Sequence, residues 1–460
     1  MFTSIHTVHF VGIGGIGMSG IAEILLDQGF TVTGSDLARS EATERLESQG
    51  ARVMIGHDAQ NVVGADVVVY SSAVRPDENP ETAEAIRRKI PLIRRAEMLA
   101  EVTRMKYGVA VAGTHGKTTT TSMIGLVLME GGIDPTVIVG GKLSGLGGTN
   151  ARLGHGQWTV VEADEFDRSF LTLSPTIAVI TNLEREHLDI YSDLDDIKRA
   201  FIEFANKVPF YGFTALCLDE PSLVDILPQM KRRVVSYGST PHCDVRAVDI
   251  SYHERTSSFG VIHNGNRLGE LTVGVPGEHN VKNALAAVTV GLEIGIPFQH
   301  IADALARFGG VYRRFEVKGE AGGVMVVDDY AHHPTEVKAT LGAIRQGWNR
   351  RIVAIFQPHT YTRTRDFYEE FGKALFNSEL AIITDVYPAR ERPIQGITGE
   401  LIANTAAGFG HRNVAYVPDR SNVAAHVLGL LQPGDIVVTM GAGDIWKTAE
   451  ELLEKLKESQ

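Results

Sequence analysis

Val109-Ala110-Val111-Ala112-Gly113-Thr114-His115-Gly116-Lys117-Thr118-Thr119-Thr120 is the stretch whose reading decides the fold. Its opening is short, apolar and β-branched, and reads as a buried strand. Two glycines three apart then turn the chain. Lys117-Thr118-Thr119-Thr120 opens a helix whose apolar side is Met123, Ile124, Leu126 and Val127. Such a turn aims backbone N–H groups and a helix N-terminus at one spot, which suits a phosphate chain. Lys117 adds a point charge there, and the Thr118 hydroxyl is placed to hold a magnesium ion. Val111 stands where the usual Walker pattern has its first glycine, so this loop is one glycine poorer. The plain alternative is a glycine turn with a surface lysine; the order strand, glycines, Lys, Thr favours phosphate.

Before this stretch, Thr7-Val8-His9-Phe10-Val11 reads as a strand, followed by Gly12-Ile13-Gly14-Gly15-Ile16-Gly17 and a helix through Leu26. Gly12, Gly14 and Gly17 satisfy the dinucleotide fingerprint, and Asp36 ends the next strand at the acidic spacing. Taken alone this indicates an NAD(P)-dependent oxidoreductase. The same backbone geometry accepts the diphosphate of any nucleotide-linked ligand, because N–H groups do not see a nicotinamide ring. Asp36 is placed for ribose hydroxyls or a base N–H, or merely as a cap. Ser71 and Ser72 close a later strand where ligands gather in parallel sheets, though turns favour serine anyway. Lys106-Tyr107-Gly108 reads as a domain junction.

Beyond the lysine loop, a glycine-rich run through Gly148 carries Lys142, and Trp158-Thr159-Val160-Val161 delivers Glu162-Ala163-Asp164-Glu165. Glu162 emerges at a strand tip, where a carboxylate could meet magnesium, with Asp164, Glu165 and Asp167 as competitors. His187 follows a third strand; magnesium prefers oxygen, so an imidazole ligand needs carboxylates beside it. His279, Asn280 and Asn283 open an alanine-rich helix; the asparagines share a face and could read adenine, or one could be a cap. Residues 311–460 alternate strands at Val324–Val327, Arg351–Phe356, Leu380–Thr384 and Asp435–Thr439 with helices, as in a doubly wound sheet. Polar groups collect after the strand ends: Tyr330, His332, His359, Arg363 and Glu391 among them. Arg313-Arg314 stand at the junction, to reach phosphates or to form surface ion pairs.

The chain has 460 residues, enough for about three domains. Its net charge of -12 argues against a nucleic-acid surface. Cys217 and Cys243 form no ligand cluster, which fits a reducing compartment. No apolar run has membrane-spanning length and the N-terminus lacks a signal-peptide pattern, so a cytoplasmic protein without nucleic-acid or membrane partners is expected. No Ser/His/acid set, Cys/His nucleophile or zinc spacing stands out. The coherent reaction is phosphoryl transfer to a carboxylate, followed by attack of an amine.

Over essentially its whole length the sequence resembles the Mur ligase family. The matches are His9 to Gly20, Gly113-Thr114-His115-Gly116-Lys117-Thr118-Thr119, Glu162-Ala163-Asp164-Glu165, Asn182 to Asp189, His279-Asn280-Val281-Lys282-Asn283 and Asp329-Tyr330-Ala331-His332-His333-Pro334. The resemblance implies an α/β protein of three domains: Rossmann-like over 1–107, P-loop ATPase-like over 108–310, and Rossmann-like α/β over 311–460. It implies ATP and Mg2+, with UDP-N-acetylmuramate and L-alanine as substrates, in a monomer or weak homodimer. Gly14, Gly15 and Ser71 would lie near the diphosphate and Asp36 near the uridine. Gly113 to Thr119, Lys117 above all, would meet ATP phosphates; Thr118, Glu162 and His187 would serve the metal. Asn280, Asn283 and His279 would serve adenine or ribose, with Arg314 near the nucleotide. Tyr330, His332, His359 and Arg363 would line the amino-acid site, and Lys117, His187, His332 and Arg363 would carry the catalysis. Some members have arginine after the residue matching His359, where this chain has Thr360. Lys198-Arg199-Ala200-Phe201 gives no equivalent of the carbamylated lysine of other branches. The rival readings are the oxidoreductase and a nucleotide-sugar-binding module without chemistry.

Overall fold

A computed structural model describes residues 5–71, 73–140, 150–186 and 190–459. The chain forms two compact units. The first comprises Met1–Val248, Val261–Gly269 and Lys282–Leu305; the second comprises Asp249–Gly260, Glu270–Val281 and Ala306–Gln460.

The first sheet holds β1 (Thr7–Val11), β2 (Thr31–Asp36), β3 (Arg52–Ile55), β4 (Val67–Tyr70) and β5 (Leu92–Arg94). Its order is β3-β2-β1-β4-β5, all parallel. β1 therefore has neighbours that leave it in opposite directions, and its carboxyl end is a switch point, where a crevice opens.

The second sheet holds β6 (Tyr107–Ala112), β7 (Thr136–Ile138), β8 (Ala151–Arg152), β9 (Trp158–Glu162), β10 (Ile177–Ile180), β11 (Phe213–Cys217) and β12 (Val234–Gly238). β13 (Val245–His253), β14 (Thr256–His263) and β15 (Asn266–Val273) follow beyond β12. The order β12-β11-β10-β6-β9-β7 is parallel, with β8 antiparallel at the edge. β6 thus lies between β9 and β10, again at a switch point.

Helix Lys117–Glu130, which follows β6, departs from the one-sided expectation. Thr119 to Gly125, Val127 and Leu128 are all buried, whereas Leu126 is only half-buried. The reason is packing on two sides. A Cβ on Gly125 would fall 2.8 Å from Val137 of β7, and one on Gly291 of helix Glu278–Ile294 would fall 2.9 Å from Val127.

The third sheet holds β16 (Glu316–Ala321), β17 (Val324–Asp329), β18 (Ile352–Phe356), β19 (Leu380–Ile383), β20 (Val414–Tyr416) and β21 (Ile436–Met440). Its order is β16-β17-β21-β18-β19-β20, parallel except for β16. Along β17, Met325 and Val327 enter one core with Leu341, Phe356 and Phe371, while Val326 enters the other with Val423 and Leu452. Helices cover both faces, so the central strands are apolar without alternation.

Candidate active site

In the first unit, β1 runs into Gly12, whose φ of 82° turns the chain back. Gly12 and Ile13 both donate N–H to the Ser35 carbonyl at 2.9 Å. Gly14 N–H donates to Asp36 Oδ2 at 2.8 Å, and a Cβ there would fall 2.9 Å from that oxygen. Asp36 also accepts Leu37 N–H at 2.8 Å, so its carboxylate braces the glycine turn. Gly15 closes the turn on Gly12, and Ser71 Cβ lies 3.9 Å from where a Gly12 Cβ would stand. Gly14, Gly15, Asp36 and Ser71 are therefore gathered at the β1 tip. Gly20, one turn further on, lets its helix approach the second sheet: a Cβ there would fall 3.0 Å from Ala151.

The lysine loop follows from β6 and its two neighbours. Gly113 (φ 140°) and Gly116 (φ 78°) adopt conformations that L side chains rarely take. A Cβ on Gly113 would fall 2.1 Å from Thr181 Oγ1, and one on Gly116 would fall 2.6 Å from Asn283 Oδ1. The residues just after β10 clamp the turn. Asn182 Oδ1 accepts His115 N–H at 2.8 Å, while Asn182 Nδ2 and Thr181 Oγ1 donate to the His115 carbonyl at 3.0 and 2.6 Å. Thr114 Oγ1 accepts Glu184 N–H at 3.0 Å, and His115 Nε2 lies 3.5 Å from Glu184. Thr120, behind the loop, donates to Asn283 Oδ1 at 3.1 Å, which places Asn283 under the turn.

Lys117 Nζ lies 2.8 Å from both oxygens of Glu165 and donates to the carbonyls of Gly113 and Thr114 at 2.7 and 3.3 Å. Burial opposes its charge, but the carboxylates of Glu165 and Asp164 more than offset this and hold the ammonium above its ordinary range. Glu162 is the last residue of β9, paired with Val111 of β6. Burial raises its carboxyl, while hydrogen bonds from the Thr118 hydroxyl and the Gly140 amide oppose the rise. Its Oε1 is buried with no hydrogen-bond partner among the described residues. A hydroxyl beside a carboxylate with one open, buried oxygen is a donor set for a hard cation. His187, Ser72 and the run Gly141 to Thr149, Lys142 included, lie outside the described residues.

In the second unit, Arg313 and Arg314 flank the Tyr330 ring, their guanidinium carbons 5.1 and 5.2 Å from its centroid. Arg313 also binds Asp328 at 2.9 Å and the Gly441 and Gly443 carbonyls at 2.7 and 3.2 Å. Arg314 instead reaches Glu336 at 3.3 Å. His332 meets Tyr330 edge-on at 5.2 Å and His359 at 6.0 Å, and His359 stacks on Tyr387 at 5.7 Å. His332 Nδ1 lies 2.9 Å from the Tyr330 carbonyl, which can only accept, so Nδ1 carries a proton and Nε2 is the acceptor whenever the ring is neutral. Burial, then the charges of His332 and Arg363, push His359 down to about 4. Tyr330, His332, His359 and Arg363 thus form one neighbourhood. Asn280 Nδ2 donates to the Pro276 carbonyl at 2.7 Å, and His279 sits against Gly277.

Sequence reasoning did not single out Glu165, Asn182 or Glu336. Glu165 lay in an acidic run where several residues competed. Glu336 accepts N–H from His332 and His333 at 3.0 and 3.3 Å in a capping box, a signal readable three residues past His333.

Three family models match the chain: Mur ligase family catalytic domain over residues 7–107, Mur ligase middle domain over 111–291, and Mur ligase glutamate ligase domain over 313–443. The chain is 56% identical over 457 residues to UDP-N-acetylmuramate–L-alanine ligase of Geotalea uraniireducens (strain Rf4), covering 99% of each. It is 56% identical over 454 residues to the same-named protein of Salinibacter ruber (strain DSM 13855 / M31), covering 98% of this chain and 95% of that one. Among solved structures it is similar to a UDP-N-acetylmuramate-alanine ligase from Thermotoga maritima. That match has 30% identity and a TM-score of 0.81, covering 99% of this chain and 100% of the other. With these models and relatives spanning its three sheets, the chain belongs to the Mur ligase family.

Proposed function

We propose that the protein is an ATP-dependent ligase joining the carboxylate of UDP-N-acetylmuramate to the amine of L-alanine in peptidoglycan precursor synthesis. The observation that carries this reading is 56% identity, over 99% of both chains, to a UDP-N-acetylmuramate–L-alanine ligase. In it, domains 1–107, 108–310 and 311–460 take the UDP-sugar, ATP and amino acid respectively. The sugar carboxylate attacks the γ-phosphorus and ADP leaves. The alanine amine then attacks the acyl carbon, losing a proton as phosphate departs.

Each residue cluster has a part. Gly14, Gly15 and Ser71 receive the diphosphate, with Asp36 on the uridine side. Lys117 trades Glu165 for the triphosphate, and the N–H groups of Gly113 to Thr119 surround it. Thr118 and Glu162, with His187, would hold Mg2+, which when bound neutralises charge on the phosphates. Asn283 and Asn280, with His279, serve adenine or its ribose, and Arg314 the nucleotide. Arg363 grips the alanine carboxylate, Tyr330 and His359 line its site, and His332 Nε2 accepts the amine proton. The enzyme acts in the cytoplasm as a monomer or weak homodimer, without nucleic-acid or membrane partners. The decisive experiment combines γ-labelled ATP, Mg2+, UDP-N-acetylmuramate and one of L-alanine, glycine or L-serine. Labelled phosphate release that requires both the sugar acid and L-alanine is expected; release independent of them, or none, would overturn the reading.

A further inference from the structure

We infer that Glu391 positions Arg363 for the amino-acid carboxylate, by fixing the one helical turn on which Arg363 stands. The inference rests on the reading of Arg363 as the carboxylate partner. Helix Tyr361–Ala374 is interrupted at Phe367 (φ -132°, ψ 15°), so the turn carrying Arg363 is not braced by a continuous helix behind it. Its own N-cap closes the turn only through the Thr360 carbonyl, which accepts the Thr364 N–H and hydroxyl at 3.2 and 2.8 Å. The Thr360 side chain makes no cap hydrogen bond, and its φ of 66° with ψ of 143° is a conformation that favours glycine.

The holding group comes from another loop. Glu391 Oε2 accepts N–H from Tyr361 and Thr362 at 2.6 and 3.0 Å, and its Oε1 accepts the Thr362 hydroxyl at 2.5 Å. Backbone bonds fasten the same two segments: Thr360 N–H to the Tyr387 carbonyl at 2.9 Å, and Tyr387 N–H to the Pro358 carbonyl at 2.8 Å. N–H groups in a helix's first turn, here those of Tyr361 and Thr362, are where an external carboxylate would otherwise settle. Glu391 takes them, so the alanine carboxylate is directed to the Arg363 fork. Glu391 is thus a positioning residue that makes no contact with substrate.

Steady-state kinetics on the full chain decide this. Glu391→Ala is expected to raise KM for L-alanine about 10-fold, leaving KM for ATP and UDP-N-acetylmuramate within about 2-fold. Glu391→Gln, which keeps the length and one acceptor oxygen, should fall between, near 3-fold (about half the effect on a logarithmic scale). An unchanged KM for L-alanine in both variants, or all three KM values rising together, would overturn the inference. If Glu391→Ala does not fold, the Gln variant decides by the same split. Arg363→Ala run alongside separates the two levels. If it raises KM for L-alanine and the Glu391 variants do not, only the positioning role fails. If it leaves that KM unchanged, the reading of Arg363 fails, and the inference with it.

Discussion

Lys117 is held by one carboxylate and two loop carbonyls, so its ammonium already sits at the focus of the turn. On the proposed reading, replacing it with alanine removes the ammonium that would follow the transferring phosphoryl group. Lys117→Ala is expected to lower the rate of phosphate release by about 10²–10³-fold or more, because charge stabilisation at the reacting centre is lost. UDP-N-acetylmuramate affinity, read by calorimetry, should stay within about 2-fold, since the turn at Gly14 and Asp36, where the sugar nucleotide is proposed to bind, uses none of these groups. Near-normal ligation would sink the role given to Lys117. His359 offers an independent check on the cluster proposed for the amino acid. Its imidazole is held near 4 first by burial, then by the positive neighbours His332 and Arg363. Arg363→Ala should therefore move the His359 midpoint upward while burial keeps it below the ordinary value of 6.5. Ring-proton NMR across pH 3–8 (about the span needed) reads this directly. A midpoint that does not move would place Arg363 too far away to share a ligand with His359.

At the scale of elements, a buried polar hub ties the first sheet together. Glu81, in helix Pro80–Arg88, accepts from Ser35 of β2 at 2.5 Å and from Asn61 at 2.6 Å, and lies 3.2 Å from His57 and 3.8 Å from His9 of β1. Ser35 also supplies the carbonyl that receives the Gly12 and Ile13 amides, so the hub reaches the glycine turn through one residue. Burial alone would raise the Glu81 carboxyl, but His9, Ser35 and Asn61 outweigh it and hold it at about 2 against an ordinary 4.5. A depressed carboxylate contributes stability above its unfolded pKa and loses it as pH falls. Glu81→Ala should cost about 1–3 kcal/mol for each buried donor left without a partner, and the gap to the unmodified protein should narrow as pH falls from 4.5 toward 2. Urea titrations at neutral and acid pH measure both; a gap that widens in acid would refute the assignment. This hub was not legible in the sequence, because Glu81 is 46 residues from Ser35 and nothing local marks a buried glutamate. The strands were legible, since β6, β17, β18 and β21 are apolar runs bounded by glycine and polar turns. β16 and β20 were not, since Glu316–Ala321 and Val414–Tyr416 are short, partly polar edges whose pairing is set by the sheet. The lysine loop was visible as a motif; its pairing with Glu165 needed the third dimension, because three neighbouring acids looked equivalent.

For the whole molecule, the boundary proposed at residue 311 makes a claim about folding. Every strand of the third sheet lies in 311–460, from Glu316 to Met440. Both of its cores close within the same residues: one from Met325 to Met440, the other from Ala321 to Leu456. The buried ion pair of Arg313 with Asp328 and the glycine carbonyls that complete it are also internal to this span. A stretch of about 150 residues with helices on both faces of its sheet has apolar area enough to offset its chain entropy without the rest of the protein. Residues 311–460 expressed alone should therefore unfold in a single cooperative transition, with a calorimetric enthalpy near 0.7 kcal/mol per residue, or about 100 kcal/mol in total. The fragment lacks Lys117 and its loop, so it should neither hydrolyse ATP nor form an acyl phosphate. A broad, non-cooperative melt, or an enthalpy well under that figure, would show that the third sheet depends on β13 to β15 or on helix Glu278–Ile294, and would move the boundary upstream of residue 311.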